Sequence, residues 1–183
     1  MEKRFKKNSN HIIKIAITGP ESTGKSSISE ELAKHFQTVC VPEFARTYIE
    51  NLGKPYIYED ILTIAKGQID SETDYLPKAN IFLFCDTELL VTKIWSEHAY
   101  QKCDDWILNT ITKQTYDLYL LMDIDIPWKH DIQREHPHLR KYFFNLYLNE
   151  LSSRKLPFEI ISGENSNRTA LAIKVINKYF SHL

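Results

Sequence analysis

The chain has 183 residues, with 23 basic and 24 acidic side chains and a formal net charge of −1. That length suits one compact domain, and the balanced charge argues against a general polyanion binder while leaving room for a local basic patch. Apolar residues at 43% and aromatics at 12% can build a core, which excludes wholesale disorder.

In chain order, residues 1–11 form a basic tail, MEKRFKKNSNH, that leads into no signal-peptide core. A single domain is expected over 12–183. Ile12–Thr18 is a near-continuous apolar, β-branched segment and predicts a strand buried on both faces. Ser26–Phe36 follows with Ile28, Leu32, Ala33 and Phe36 at helical spacing, then a weaker strand at Thr38–Val41. Glu59–Tyr75 predicts a helix, Ile81–Cys85 a strand, and Glu88–Trp95 and Trp106–Thr115 two further helices. Leu118–Met122 is the next strand. Ile126–His138 is polar and irregular with two prolines, and Leu139–Leu151, Phe158–Ile161 and Thr169–Phe180 close the chain as helix, strand and helix. Strands alternating with helices imply βαβ units and an α/β fold. The apolar runs fall far short of the about 20 residues that span a bilayer. Cys40, Cys85 and Cys103 offer no CxxC pairing, which fits reduced thiols in a cytoplasmic protein.

Gly19-Pro-Glu-Ser-Thr-Gly-Lys-Ser26 fits GxxxxGK[ST] between the first strand and the first helix, the context in which that motif wraps phosphates. Its glycines let backbone N–H groups curl around phosphate oxygens, and the helix N-terminus adds its positive dipole end. Lys25 is expected to reach the β- and γ-phosphates, and the Ser26 hydroxyl to ligate Mg²⁺. Gly19, Glu21, Ser22, Thr23, Gly24, Lys25, Ser26 and the adjoining Ser27 are therefore the candidates for binding a nucleoside triphosphate.

Magnesium needs a carboxylate from a neighbouring strand end, and Asp86 closes Ile81–Cys85. The alternative is that Asp86 caps the following helix, and Asp123 and Asp125 are rival acids. Glu43 follows the second strand, where substrates gather in open α/β sheets. It can bind sugar hydroxyls or take a proton from the attacking one, or be an ordinary helix-start acid. Arg46, one turn on, is placed to pair with Glu43 or with the transferring phosphate. The charged segment 126–140 has the makings of a lid that excludes water, with Arg134 and Arg140 as its arginines, expected to stabilise charge on the phosphate oxygens; a solvated loop is the alternative.

The strings GPESTGKS, PEFARTYIE, a central Gly67-Gln68, FCDTELL followed by Trp95-Ser-Glu, and PWKHDIQR occur in the same order as in the ribosylnicotinamide kinase domain of NadR-type proteins, which the chain resembles from about Ile12 to Phe180. The resemblance implies a P-loop kinase fold, a five-stranded parallel sheet with helices on both faces. It implies ATP as donor, with Mg²⁺ supported by Ser26 and Asp86. It assigns the acceptor nucleoside to Glu43, Arg46, Gln68 and Asp86. Among the aromatic candidates for holding the base are Tyr48, Tyr56, Tyr75 and Trp95. Arg134 becomes a lid arginine behind Asp131, where Ile132 departs from the small residue expected. Gly163 opens a loop that would cradle adenine, with Arg168 stacking there. Full-length relatives carry further domains, and no HxGH motif occurs here, so a stand-alone kinase domain is expected.

The activity so implied is phosphoryl transfer from ATP to nicotinamide riboside, with no nucleic-acid or membrane partner. A kinase for another nucleoside and a nucleotide-binding switch of the same fold are the alternatives.

Overall fold

The computed structural model describes residues 11–131 and 133–181, so that the basic tail before His11 and the departure at Ile132 lie outside the described residues. The five apolar segments become strands β1 (Ile13–Thr18), β2 (Val39–Val41), β3 (Phe82–Asp86), β4 (Leu118–Met122) and β5 (Phe158–Ile161). They form one sheet in the order β2-β3-β1-β4-β5, and every pairing is parallel. Parallel neighbours need crossovers. These are supplied by α1 (Lys25–His35), α2 (Phe44–Leu52), α3 (Tyr58–Tyr75), α4 (Leu89–Tyr100), α5 (Asp105–Lys113) and α6 (Arg140–Ser153), and α7 (Ser166–Tyr179) follows the last strand.

The strands read as continuous apolar runs because both sheet faces are covered. Ile13, Ile15 and Ile17 of β1 pack with Ile28 and Leu32 of α1 and Ala172 and Ile176 of α7. Ala16, Leu83, Cys85 and Leu121 point the other way, into a cluster with Ile61 of α3, Leu90 and Ile94 of α4, Ile107 of α5 and Leu151 of α6. The result is the expected three-layer architecture. No helix among the described residues is long and apolar enough to cross a membrane.

Departures from the expected boundaries have local causes. β3 starts at Phe82 because Ile81 has φ 65, a left-handed turn residue. α4 runs on past Trp95 to Tyr100, since its polar continuation is tied down: Lys93 Nζ donates to Glu97 and Glu150, each at 2.8 Å. α7 begins three residues before Thr169, in a polar first turn that apolar periodicity cannot see. Gly67 proves to be a packing glycine in α3: a Cβ there would meet the Phe44 ring of α2 at 2.2 Å.

This order makes β1 and β3 neighbours whose connections leave in opposite directions. The crevice between their carboxyl ends is the topological switch point where open α/β sheets bind ligands. Ile17 pairs with Asp86 at that edge.

Candidate active site

The phosphate loop bridges β1 and α1. Gly19, with φ 129, passes so close to β4 that a Cβ would lie 3.0 Å from the Met122 carbonyl, so glycine is required there. Thr23 Oγ1 donates to the Pro20 carbonyl at 2.8 Å and pins the turn. Lys25 Nζ donates to the carbonyls of Gly19 at 3.0 Å and Pro20 at 2.8 Å, so its charge already lies along the loop.

Asp86 ends β3 only 4% exposed, and its Oδ1 has no hydrogen-bond partner. Burial, and next the Glu43 carboxylate, push its pKa up to about 6, while a hydrogen bond from the Ser26 hydroxyl and the charge of Lys25 pull the other way. The cap of α4 is Glu88, which accepts from the Leu90 N–H at 2.6 Å; that duty does not fall to Asp86. A buried carboxylate oxygen without a partner beside a serine hydroxyl fits a hard, oxygen-seeking cation. No cluster of three or more His, Cys, Asp or Glu that could hold a metal occurs among the described residues. Further ligands would be phosphate oxygens and water, the habit of Mg²⁺.

Glu43 occupies the N-cap position of α2, yet its side chain makes no capping hydrogen bond. The N-terminus of α2 is instead served by Gln68 of α3, whose Oε1 accepts from the Phe44 N–H at 2.9 Å. Gln68 is 3% exposed, and its Nε2 is left without a partner. Sequence reading missed this support role.

Among the described residues of the 123–139 connection between β4 and α6, the only regular element is a short 3₁₀ turn, Pro137–Leu139. It is fastened over the phosphate loop by residues that sequence reading had given to phosphates. Glu21 accepts from the backbone N–H groups of Glu135 at 3.1 Å and His136 at 3.3 Å. Ser22 Oγ accepts from the Lys129 N–H at 2.8 Å. Arg46, expected on Glu43 or a phosphate, donates instead to Asp131 at 2.8 Å and pairs with Glu50 at 3.5 Å. Arg134 turns back on its own segment, donating to the Lys129 carbonyl at 2.6 Å.

Two further expectations need correcting. Arg168 is 5% exposed and fully engaged: it donates to the carbonyls of Gly163, Thr23 and Asp123 and to the Asp125 carboxylate. A guanidinium so enclosed cannot stack on a base. Arg140, expected on phosphate, donates to the carbonyls of Ile126 and Ser22. Asp125 also accepts from the Gly163 N–H at 2.6 Å, fixing the loop after β5.

Of the aromatic candidates, Tyr56 and Trp95 come together: Trp95 Nε1 donates to the Tyr56 hydroxyl at 3.0 Å, with ring centroids 4.7 Å apart. The Tyr56 hydroxyl also approaches Glu135 at 3.3 Å, and its pKa rises to about 12, chiefly through burial. Tyr48 is bound to Asp60 at 2.6 Å. Tyr75 ends α3, away from the switch point, beneath Lys78.

Over 157 residues the chain is 29% identical to the trifunctional NAD biosynthesis/regulator protein NadR of Escherichia coli strain K12, covering 82% of this chain but 38% of that protein. Crystal structures of NadR, one with NAD and AMP-PNP and one with NR, superpose with TM-score 0.78 at 22% and 21% identity. Each covers 92% of this chain, which matches 49% and 50% of theirs. Thymidylate kinase from Ehrlichia chaffeensis shares the fold at TM-score 0.62 and 14% identity, over 90% of this chain and 98% of its own. The likeness to NadR seen in the motifs thus extends over most of the chain, although the chain spans well under half of the bacterial protein. Residues 14–168 match the AAA domain family, from the strand that launches the phosphate loop to the arginine that brackets it, and the chain belongs to that family.

Proposed function

We propose that this protein is an ATP-dependent kinase that transfers the γ-phosphoryl group of ATP to the 5′-hydroxyl of nicotinamide riboside, giving the mononucleotide. The observation that carries this is the convergence at one sheet edge of a phosphate loop, the partnerless buried Oδ1 of Asp86 beside Ser26, and a Glu43 carboxylate not used as a cap. The triphosphate occupies the Gly19–Ser26 loop, and Lys25 exchanges its carbonyl partners for the β- and γ-phosphate oxygens. Mg²⁺, held by Ser26 and Asp86, would neutralise charge on those oxygens. Glu43 orients the acceptor hydroxyl and takes its proton as the new P–O bond forms and the β–γ bridge breaks towards ADP. The 126–140 segment serves as the lid, and its ties to Glu21, Ser22 and Arg46 keep water from the γ-phosphate.

The choice of acceptor rests on the likeness to NadR, one of whose structures holds NR, and on Tyr56 and Trp95, whose faces suit a cationic pyridinium ring. A kinase for another nucleoside is the second proposal. The fold recurs in thymidylate and deoxyadenosine kinases, and a carboxylate at Glu43 serves any ribose.

The test is ADP release with ATP, Mg²⁺ and a panel of nucleosides. Nicotinamide riboside is expected to stimulate it most; stimulation by a different nucleoside alone moves the assignment to that substrate. Absence of stimulation by any acceptor refutes the kinase and leaves a nucleotide-binding switch. In the same assay Glu43→Gln is expected to lower kcat about 100-fold or more with ATP affinity kept. Wild-type turnover in that variant would remove Glu43 as the base.

A further inference from the structure

The backbone N–H groups of a phosphate loop can converge on an anion only if the peptide planes turn their carbonyls the other way. Carbonyls turned into the protein then need donors of their own. Ser22 and Thr23 are both buried, and Ser22 holds a left-handed conformation at φ 57, a costly one for a residue with a side chain. Their carbonyls meet two arginines that approach from behind the loop. Arg168 Nη1 donates to Thr23 at 2.6 Å, and Arg140 Nη2 donates to Ser22 at 3.2 Å.

Both guanidiniums are anchored elsewhere as well. Arg168 Nε donates to the Gly163 carbonyl at 2.7 Å and Nη2 to the Asp123 carbonyl at 3.2 Å, with Asp125 as its counter-charge. Arg140 Nη1 donates to Ile126 at 2.8 Å. The planar fork of donors therefore ties consecutive loop carbonyls to the end of β4 and to the loop after β5. A lysine presents its donors from a single point and cannot span such diverging acceptors.

We propose that Arg140 and Arg168 are positioning residues that hold the Ser22 and Thr23 carbonyls outward and so preset the loop's N–H groups for the β-phosphate of the donor nucleotide. This rests on the kinase reading only in taking a nucleoside di- or triphosphate as the loop's ligand. It goes beyond that reading in giving both arginines a task that never touches the nucleotide.

The experiment compares ADP with AMP, which differ by the β-phosphate, by calorimetric titration of wild type, Arg140→Met, Arg168→Met and Arg168→Lys. Wild type is expected to prefer ADP. Each methionine variant is expected to weaken ADP about tenfold or more, the loss typical of charge-assisted hydrogen bonds, and to leave AMP within about twofold. Arg168→Lys, which keeps the charge, is expected to contract the preference for ADP too. Thermal melting identifies variants that fail to fold; if Arg168→Met is one, Arg140→Met and Arg168→Lys decide the matter. The proposal is overturned if the preference for ADP survives in the folded variants, if ADP and AMP weaken by the same factor, or if lysine restores wild-type behaviour. No acceptor takes part, so failure of nicotinamide riboside phosphorylation would count against the assigned substrate and not against this role.

Discussion

Asp86 concentrates the electrostatics of the site in one side chain. It is buried, one oxygen lacks a partner, and Glu43 adds a second negative charge nearby, which together bring its pKa to about 6. The raised value means that the metal-free protein loses stability as pH climbs from 3.8 through about 6, because the buried group is then forced to ionise. The proposed cation at Ser26 and Asp86 would relieve that cost and compete with the proton for the same oxygen. The Mg²⁺ concentration for half-maximal ADP formation is therefore expected to rise as pH falls below about 6. Asp86→Asn should need more Mg²⁺ at every pH and lose most of this dependence. Mg²⁺ titrations at fixed ATP between pH 5 and pH 8 check both points. An unchanged Mg²⁺ requirement in Asp86→Asn would show that the cation is held elsewhere.

At the scale of elements, the proposed lid is fastened at both flanks, to the phosphate loop through Glu21 and Ser22 and to α2 through Arg46 and Asp131. Arg46 is 44% exposed and Asp131 17%, so their pair adds less than about 1 kcal/mol to stability. Its effect belongs in the kinetics. Arg46→Ala and Asp131→Ala are each expected to raise ATP hydrolysis in the absence of acceptor. The double variant should match the singles, because one contact is lost in all three. Additive increases would mean that the two residues act separately, and no increase would mean that the tie does not guard the phosphates. The sequence makes the phosphate loop, the five strands and the irregular lid segment legible because each is written in local spacing. It hides what crosses the chain. Glu21 reaches Glu135, Ser22 meets Arg140, and Thr23 meets Arg168, contacts separated by 114, 118 and 145 positions. Helical periodicity likewise marks α3 but cannot show that Gly67 makes room for the Phe44 ring.

For the molecule as a whole, the sheet carries buried charge at both ends. At its amino end Glu72 is enclosed but answered by Lys14 at 2.6 Å and the Tyr116 hydroxyl at 2.5 Å. At its carboxyl end Glu88 is 2% exposed, and no cation among the described residues answers it as Lys14 answers Glu72. It accepts from the Thr18 hydroxyl at 2.9 Å and the Leu90 N–H at 2.6 Å, joining β1 to the start of α4, and the Val91 N–H is a further backbone donor to it. Burial dominates, and the pKa rises from 4.5 to about 7. Global stability must follow. Folding favours the protonated form, so the contribution of Glu88 is complete below 4.5 and is lost as pH rises to about 7. Glu88→Gln keeps the acceptor for Leu90 and a polar contact to Thr18 while abolishing the charge. In EDTA, urea unfolding is expected to show the variant gaining on wild type between about pH 4.5 and pH 7 and keeping that gain above it, on the order of 3 kcal/mol for a shift of this size. Asp86 titrates in both proteins, so the difference between the two curves isolates Glu88. Parallel curves across that range would mean that the carboxyl ionises as easily in the fold as in the unfolded chain.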